Sequence, residues 1–218
     1  MLADSLETLV KNILNKNISD LSDLDKIKNN AKKISKIYFP VLSKEIDNFI
    51  TKRNETNYKT LYCSMQLAGY LEDKNAFFLI LKILNLPIDI IEEFLGEHFV
   101  DIDLQYILAY TANDSWESLK KIIEDPSIDK FIRENCIKAL KILVFRDKIN
   151  RLDVLNYFKS YLNKIINEEV DDDEMATSII ASILDLYPYE CLEEIKELFG
   201  LYSRNLSLGI YNFKIILQ

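Results

Sequence analysis

Asp125-Pro126-Ser127-Ile128-Asp129-Lys130-Phe131-Ile132-Arg133-Glu134-Asn135-Cys136-Ile137-Lys138-Ala139-Leu140 is the stretch that decides the fold. Asp125-Pro126 stops one helix, because proline fixes φ and has no N–H to donate. Ser127 or Asp129 then starts the next. Ile132, Cys136, Ala139 and Leu140 recur at helical spacing and make one apolar stripe. The phrase reads as the joint between two stacked helices. A matching joint lies upstream, where Lys82-Ile83-Leu84-Asn85-Leu86-Pro87 parallels Lys121-Ile122-Ile123-Glu124-Asp125-Pro126. Pro87 and Pro126 are 39 residues apart, a spacing that marks helical repeats.

The rest of the chain agrees with an all-α reading. Its 218 residues are 49% hydrophobic, enough for a continuous core, with only four glycines and four prolines. An all-β fold needs more turn residues than that. A charged fraction of 28% with no long apolar run argues against a membrane span. Leu6, Leu9, Val10, Ile13 and Leu14 form an apolar stripe behind an Asp4/Glu7 start. A second helix is expected over Ser22–Tyr38, and another from Pro40, with proline in its first turn. Further helices are expected over Tyr58–Leu71, Asn75–Leu86, Ile88–Leu95, Leu104–Ala112, Trp116–Glu124, Asp129–Phe145, Arg151–Asn167, Met175–Leu186 and Pro188–Phe199, with a last one running through Phe213. This gives an α-α superhelix of about eleven or twelve helices, HEAT-like in its joint. Residues 1–36 form an appended hairpin or cap, and residues 37–218 the helical-repeat domain.

From Phe39-Pro40 onward the chain resembles a bacterial family known as domain of unknown function 1186. The phrases that carry the resemblance are Phe39-Pro40, Gly96 with Asp103-Leu104 and Ile107-Leu108-Ala109, and Leu119 to Asp125-Pro126. Arg133, Ala139-Leu140, Tyr157-Phe158 and Tyr187-Pro188 with Glu194-Ile195 continue the series. Their order carries the case, and residues 1–36 lie outside it. The resemblance implies a superhelix of HEAT type without an assigned activity. Some relatives end in a Cys-rich, zinc-binding SEC-C tail. The last cysteine here is Cys191, so zinc binding is not carried over.

The net charge of −8 disfavours nucleic acid as a partner of the whole chain. The charge is banded: residues 87–125 carry two bases against ten acids, 126–165 nine bases against four acids, and 166–218 three bases against eleven acids. Cys63, Cys136 and Cys191 are widely spaced in apolar contexts and read as buried, reduced thiols of a cytoplasmic protein. The first twenty residues lack a signal-peptide core, which leaves signal-independent export open.

No catalytic, cofactor or metal set is expected. His98 is the only histidine, and with Glu97 and Asp101 it supports an alternative reading as a metal-dependent or hydrolytic enzyme. Scattered acids around one histidine lack zinc-ligand spacing. The acidic run Glu168–Glu174 lacks the glycine and ligand order of a calcium loop. A third reading, nucleic-acid binding through 126–165, requires its cations to share one face. The leading expectation is a non-catalytic scaffold that binds another protein through its concave face, lined by the second helix of each pair. That face draws on Tyr58, Tyr62, Gln66, Tyr106, Tyr110, Arg133, Lys141 and Asp185; Arg133, placed just after the joint, also reads as a brace that pairs with an acid or carbonyl of a neighbouring turn. Tyr58/Tyr62 and Tyr106/Tyr110 are i,i+4 pairs, and tyrosine gives amphipathic contact area at modest entropic cost.

Overall fold

A computed structural model describes residues 2–15, 21–187 and 189–197. Among these residues there are helices and turns but no strand. The chain divides into two compact units, 1–149 and 150–218. The all-α reading therefore stands, with eleven α-helices and a further helical run at 192–197 among the described residues. The expected helix through Phe213 lies outside them.

In the first unit, α1 (Leu2–Leu14) and α2 (Leu21–Asn29) precede the long α3 (Ala31–Thr51). Two expectations are corrected here. The helix expected over Ser22–Tyr38 breaks at Asn30, and Pro40 does not start a helix but lies inside α3. An interior proline leaves the carbonyl four residues earlier without its partner. Lys36 and Pro40 are both exposed, so that carbonyl lies on the solvent-facing side of the helix. The expected boundary between residues 36 and 37 therefore falls within a continuous helix. Val10, Ile13 and Leu14 are buried, and α1 packs on α3 and on α4 (Tyr58–Tyr70).

The remaining helices of this unit are α5 (Lys74–Leu81), α6 (Ile88–Leu95), α7 (Leu104–Ala112), α8 (Glu117–Ile123) and α9 (Lys130–Phe145). The dominant packing is α3 on α4, α4 on α7, α7 on α9, α5 on α7 and α8 on α9. So α4, α7 and α9 form one layer in chain order, and α3, α5 and α8 back them. The two proline joints end backing helices, α5 through a 3₁₀ turn at Ile83–Asn85 and α8 at Ile123. They differ in the helix each one introduces. Pro126 leads straight to α9, whereas Pro87 caps the extra helix α6, which ends at Gly96 with φ 89°. That left-handed backbone suits glycine.

The core is apolar and continuous. Leu42, Ile46, Phe49, Leu61, Met65, Phe77, Ile80, Leu108, Leu119, Ile132, Leu140 and Leu143 are fully enclosed. Each such side chain contributes about 1.5–3 kcal/mol of burial. Cys63 and Cys136 are buried thiols outside any disulfide, as Cys191 is in the second unit. A buried polar bond crosses this core between α3 and the start of α5: Tyr38 Oη donates to Asp73 Oδ2 at 2.7 Å. Asp73 is itself the N-cap of α5, accepting from Asn75 N at 3.1 Å. Burial first, and the neighbouring carboxylate second, push the Tyr38 phenol well above the usual tyrosine range.

The second unit holds α10 (Arg151–Ile166) and α11 (Asp173–Asp185), packed through Leu155, Phe158, Leu162, Ile179 and Ile183. Arg151 Nε donates to the Leu186 carbonyl at 2.6 Å and its Nη2 to the Tyr187 carbonyl, while Nη1 and Nη2 pair with the Glu190 carboxylate at 2.8 and 2.9 Å. That fork holds the Glu190 carboxyl down at about 2. Lys159 pairs with Glu194 at 2.8 Å.

Replacing Tyr38 by Phe removes a donor from the 8%-exposed Asp73 carboxylate. The expected result in urea-induced unfolding is a loss of about 1–3 kcal/mol. An unchanged midpoint would mean that Asp73 finds another donor.

Candidate functional site

Five of the expected partner-binding residues sit on the α4 and α7 surfaces, and they share a side. Tyr62 Oη donates to Asp103 Oδ2 at 2.6 Å, and Gln66 Nε2 donates to Tyr62 Oη at 3.3 Å. Asp103 closes the five-residue π-helical turn Phe99–Asp103 that enters α7. Tyr106 and Tyr110 lie three and seven residues beyond Asp103, so they continue the side to which Tyr62 points. Tyr106 is 50% exposed. The Tyr110 ring is covered by the Arg146 guanidinium, 3.7 Å from its centroid, and Arg146 Nη2 pairs with Glu72 at 2.7 Å.

Tyr58 is built into an aromatic wall. Its ring stacks on Phe94 with centroids 4.5 Å apart and planes 15° apart, and meets Phe49 edge-on at 5.9 Å. Its hydroxyl donates to the Arg53 carbonyl at 2.8 Å. Tyr62 meets Phe99 at 6.1 Å in an edge arrangement. Burial and the Asp103 bond raise the Tyr62 phenol above its ordinary value. Tyr58, Lys59, Tyr62, Phe94, Leu95 and His98 line an open groove of about 350 Å³.

Of its two readings, Arg133 takes the brace and not a place on the surface. It is 5% exposed, and its Nε and Nη2 both donate to the Ile123 carbonyl, at 2.8 and 2.6 Å. The last carbonyls of a helix have no partner within it, and Arg133 supplies one for α8 from α9. Its place is under the face rather than on it. Lys141 is half-buried on α9, and Asp185 is exposed at the end of α11 in the other unit. The joint itself is tied by Asp125, which accepts from Ser127 N at 2.9 Å and Ser127 Oγ at 2.6 Å; those bonds lower its carboxyl pKa. Asp129 caps α9 by accepting from Phe131 N at 2.8 Å.

Asn135 was not among the expected residues. It is 2% exposed on the core stripe of α9, and its Nδ2 donates to the Val100 carbonyl at 2.9 Å and the Phe131 carbonyl at 2.7 Å. Its signal in the sequence is an amide one position from Cys136, among buried apolar neighbours. The π-turn is thus held by α4 through Tyr62 and by α9 through Asn135. π-turns inside helices are often found at functional sites.

The residues named by the two alternative readings lie as follows. His98 lines the groove, but Glu97 and Asp101, both exposed, do not. Among the described residues no three His, Cys, Asp or Glu side chains gather as metal ligands. Of the Glu168–Glu174 run, residues 168–172 lie in the turn from α10 to α11, where Asp172 accepts from Tyr161 Oη at 2.6 Å, and the last two acids begin α11. Of the nine bases in 126–165, Arg133, Arg146, Arg151 and Lys159 already serve carbonyls, carboxylates or a ring. No helix among the described residues is long and apolar enough to cross a membrane.

A family model described as "Protein of unknown function (DUF1186)" matches residues 2–206. The chain belongs to this family. The match takes in residues 2–36, which the phrase-by-phrase resemblance left outside. Relatives of the DUF1186 chain include an uncharacterized protein of Chlamydia trachomatis and one of Chlamydia muridarum, each 27% identical over 176 residues. The aligned stretch is 81% of this chain and 66% of each relative, so the match spans just under two thirds of their length. No solved structure matches.

Changing Arg133 to Met keeps an apolar stem and leaves the Ile123 carbonyl buried without its charged donor. Unfolding monitored by circular dichroism should show a loss of about 2–3 kcal/mol. A variant as stable as the parent would contradict the brace.

Proposed function

We propose that this chain is a non-catalytic helical-repeat scaffold that binds another protein through the face made by α4 and α7, continued by α9. What supports the reading is the adjacency of these helices in chain order, which lines up side chains from each of them. Tyr62, Gln66, Tyr106 and Tyr110 share one side, with Tyr58 at its edge and Lys141 on the neighbouring α9. A helical repeat buries its apolar stripe against its neighbours and leaves the opposite side of each helix for contact. Tyrosines fixed by hydrogen bonds and ring contacts suit that use, because little rotamer freedom is left to lose on binding. Arg133 supports the face from beneath.

The test uses Tyr106→Ala, because Tyr106 is exposed and its removal leaves the core intact, together with Tyr62→Ala. The full-length chain and both variants, checked for fold by circular dichroism, serve as bait, and captured proteins are identified by mass spectrometry. The reading expects a specific partner whose affinity falls about thirtyfold in at least one variant, the behaviour of a hot-spot aromatic. Partners retained equally by both variants would overturn it.

A further inference from the structure

We infer that the solvent face of α3 adsorbs to an anionic lipid bilayer, through a row of lysines with Phe78 at its end. The inference is independent of the protein-binding reading, because this face lies on the side of α3 opposite its packing on α4.

Three observations carry it. The first is charge. Residues 26–44 hold six lysines and no acid, in a chain of net charge −8. Lys26 and Lys28 are exposed on the end of α2, and Lys32, Lys33, Lys36 and Lys44 on α3. At about 100° per residue, the four lysines of α3 fall on the side away from its buried stripe of Ile34, Tyr38, Leu42, Ile46 and Phe49. From Lys32 to Lys44 the row runs about 18 Å. Lys28, Lys32, Lys33, Lys36 and Lys44 form no ion pair among the described residues. The acids nearest the row in α3 are Glu45 and Asp47. Glu45 is 6% exposed and accepts from Asn57 N at 2.7 Å on the buried side, and Asp47 is offset by Lys82 at 3.5 Å. On the helices packed against α3, α1 presents Glu7 with Lys11, and α5 holds no acid. Asp20, Asp23 and Asp25 precede the row in sequence. The face keeps its positive sign.

The second is placement against the helix. Lys32 and Lys33 lie in the first turn of α3, which has no acid there and no side-chain cap from Asn30. A helix N-terminus is the positive end of the dipole and favours acids, so these lysines oppose the helix that carries them. Residues that break a local rule with no return inside the fold mark a use outside it.

The third selects the anion. All six cations are lysine and none is arginine, the residue whose planar fork suits nucleic-acid recognition. Four to eight clustered cations on a helix are the pattern that holds a protein to acidic headgroups. The row also ends beside an apolar side chain. Asp47, three residues past Lys44, pairs with Lys82, and Phe78, one turn before Lys82, is 58% exposed. An exposed phenylalanine among lysines suits the boundary between headgroups and acyl chains.

The full-length protein is sedimented with sucrose-loaded vesicles of phosphatidylcholine, alone or with about one-third phosphatidylglycerol, at about 0.1 M salt, where a charge acts over about 10 Å. The expected result is binding to the phosphatidylglycerol vesicles only, lost at about 1 M salt, where that range is about 3 Å. Lys32→Gln combined with Lys36→Gln should lower the partition coefficient about 25-fold, at about fivefold per lysine. Phe78→Ser should lower it about threefold or more at unchanged charge. Lys121→Gln, an exposed change on α8, serves as the control and should leave it unaltered. Circular dichroism checks the fold of each variant. No binding to the phosphatidylglycerol vesicles, equal binding to phosphatidylcholine, an unchanged lysine double variant or an unchanged Phe78→Ser would each overturn the inference. Displacement from the vesicles by duplex DNA at equal phosphate concentration would assign the lysines to nucleic acid and overturn it too.

Discussion

The π-helical turn Phe99–Asp103 is the constraint on which the first unit depends. A π-turn places backbone carbonyls out of the regular i to i−4 pattern, and a buried carbonyl needs a partner. Here Asn135 of α9 takes the Val100 carbonyl while Tyr62 of α4 takes the Asp103 carboxylate. One short segment therefore fixes α7 against both of its neighbours. Hydrophobic burial brings α4, α7 and α9 together without choosing their register; these two directional bonds choose it. The Asp103 bond also orients Tyr62, so the face proposed for binding depends on the packing that holds it.

A second polar device, at the joint, acts on the backing layer. Arg133 takes the last carbonyl of α8, while the Asp125 side chain accepts from Ser127 within the turn and the Asp129 side chain from Phe131 N at the start of α9. In the other layer, Arg146 at the end of α9 joins Tyr110 of α7 to Glu72 beyond α4. Cations that sequence order places in a basic band are in this way drawn into the fold. A band of charge in the sequence is then a poor guide to a band of charge presented to a partner.

Much of the fold was legible because it depends on local rules. Helical periodicity, the proline stops and Gly96 located α6, α7 and α9 within a residue or two. Pro40 misled because its first-turn preference is only a preference: with Tyr38, Leu42 and Ile46 all buried on one side, continuing α3 keeps one apolar stripe intact and leaves the proline facing water. The insertion of α6 was invisible in the match between the two proline joints, since both do end a backing helix. The site was legible in part. The i,i+4 tyrosine pairs were found from spacing. Asn135, Asp103 and Phe94 were not, because their roles come from contacts 35 or more residues away in sequence, which no local pattern records.

If the π-turn is one element gripped from two sides, Tyr62 and Asn135 must be energetically coupled although they do not touch. A double-mutant cycle with Tyr62→Phe and Asn135→Ala, read by urea unfolding, measures this directly. The account predicts that the double variant loses less stability than the two single variants together, by at least about 0.5 kcal/mol. Losses that add to within about 0.3 kcal/mol would contradict it and make the two bonds independent.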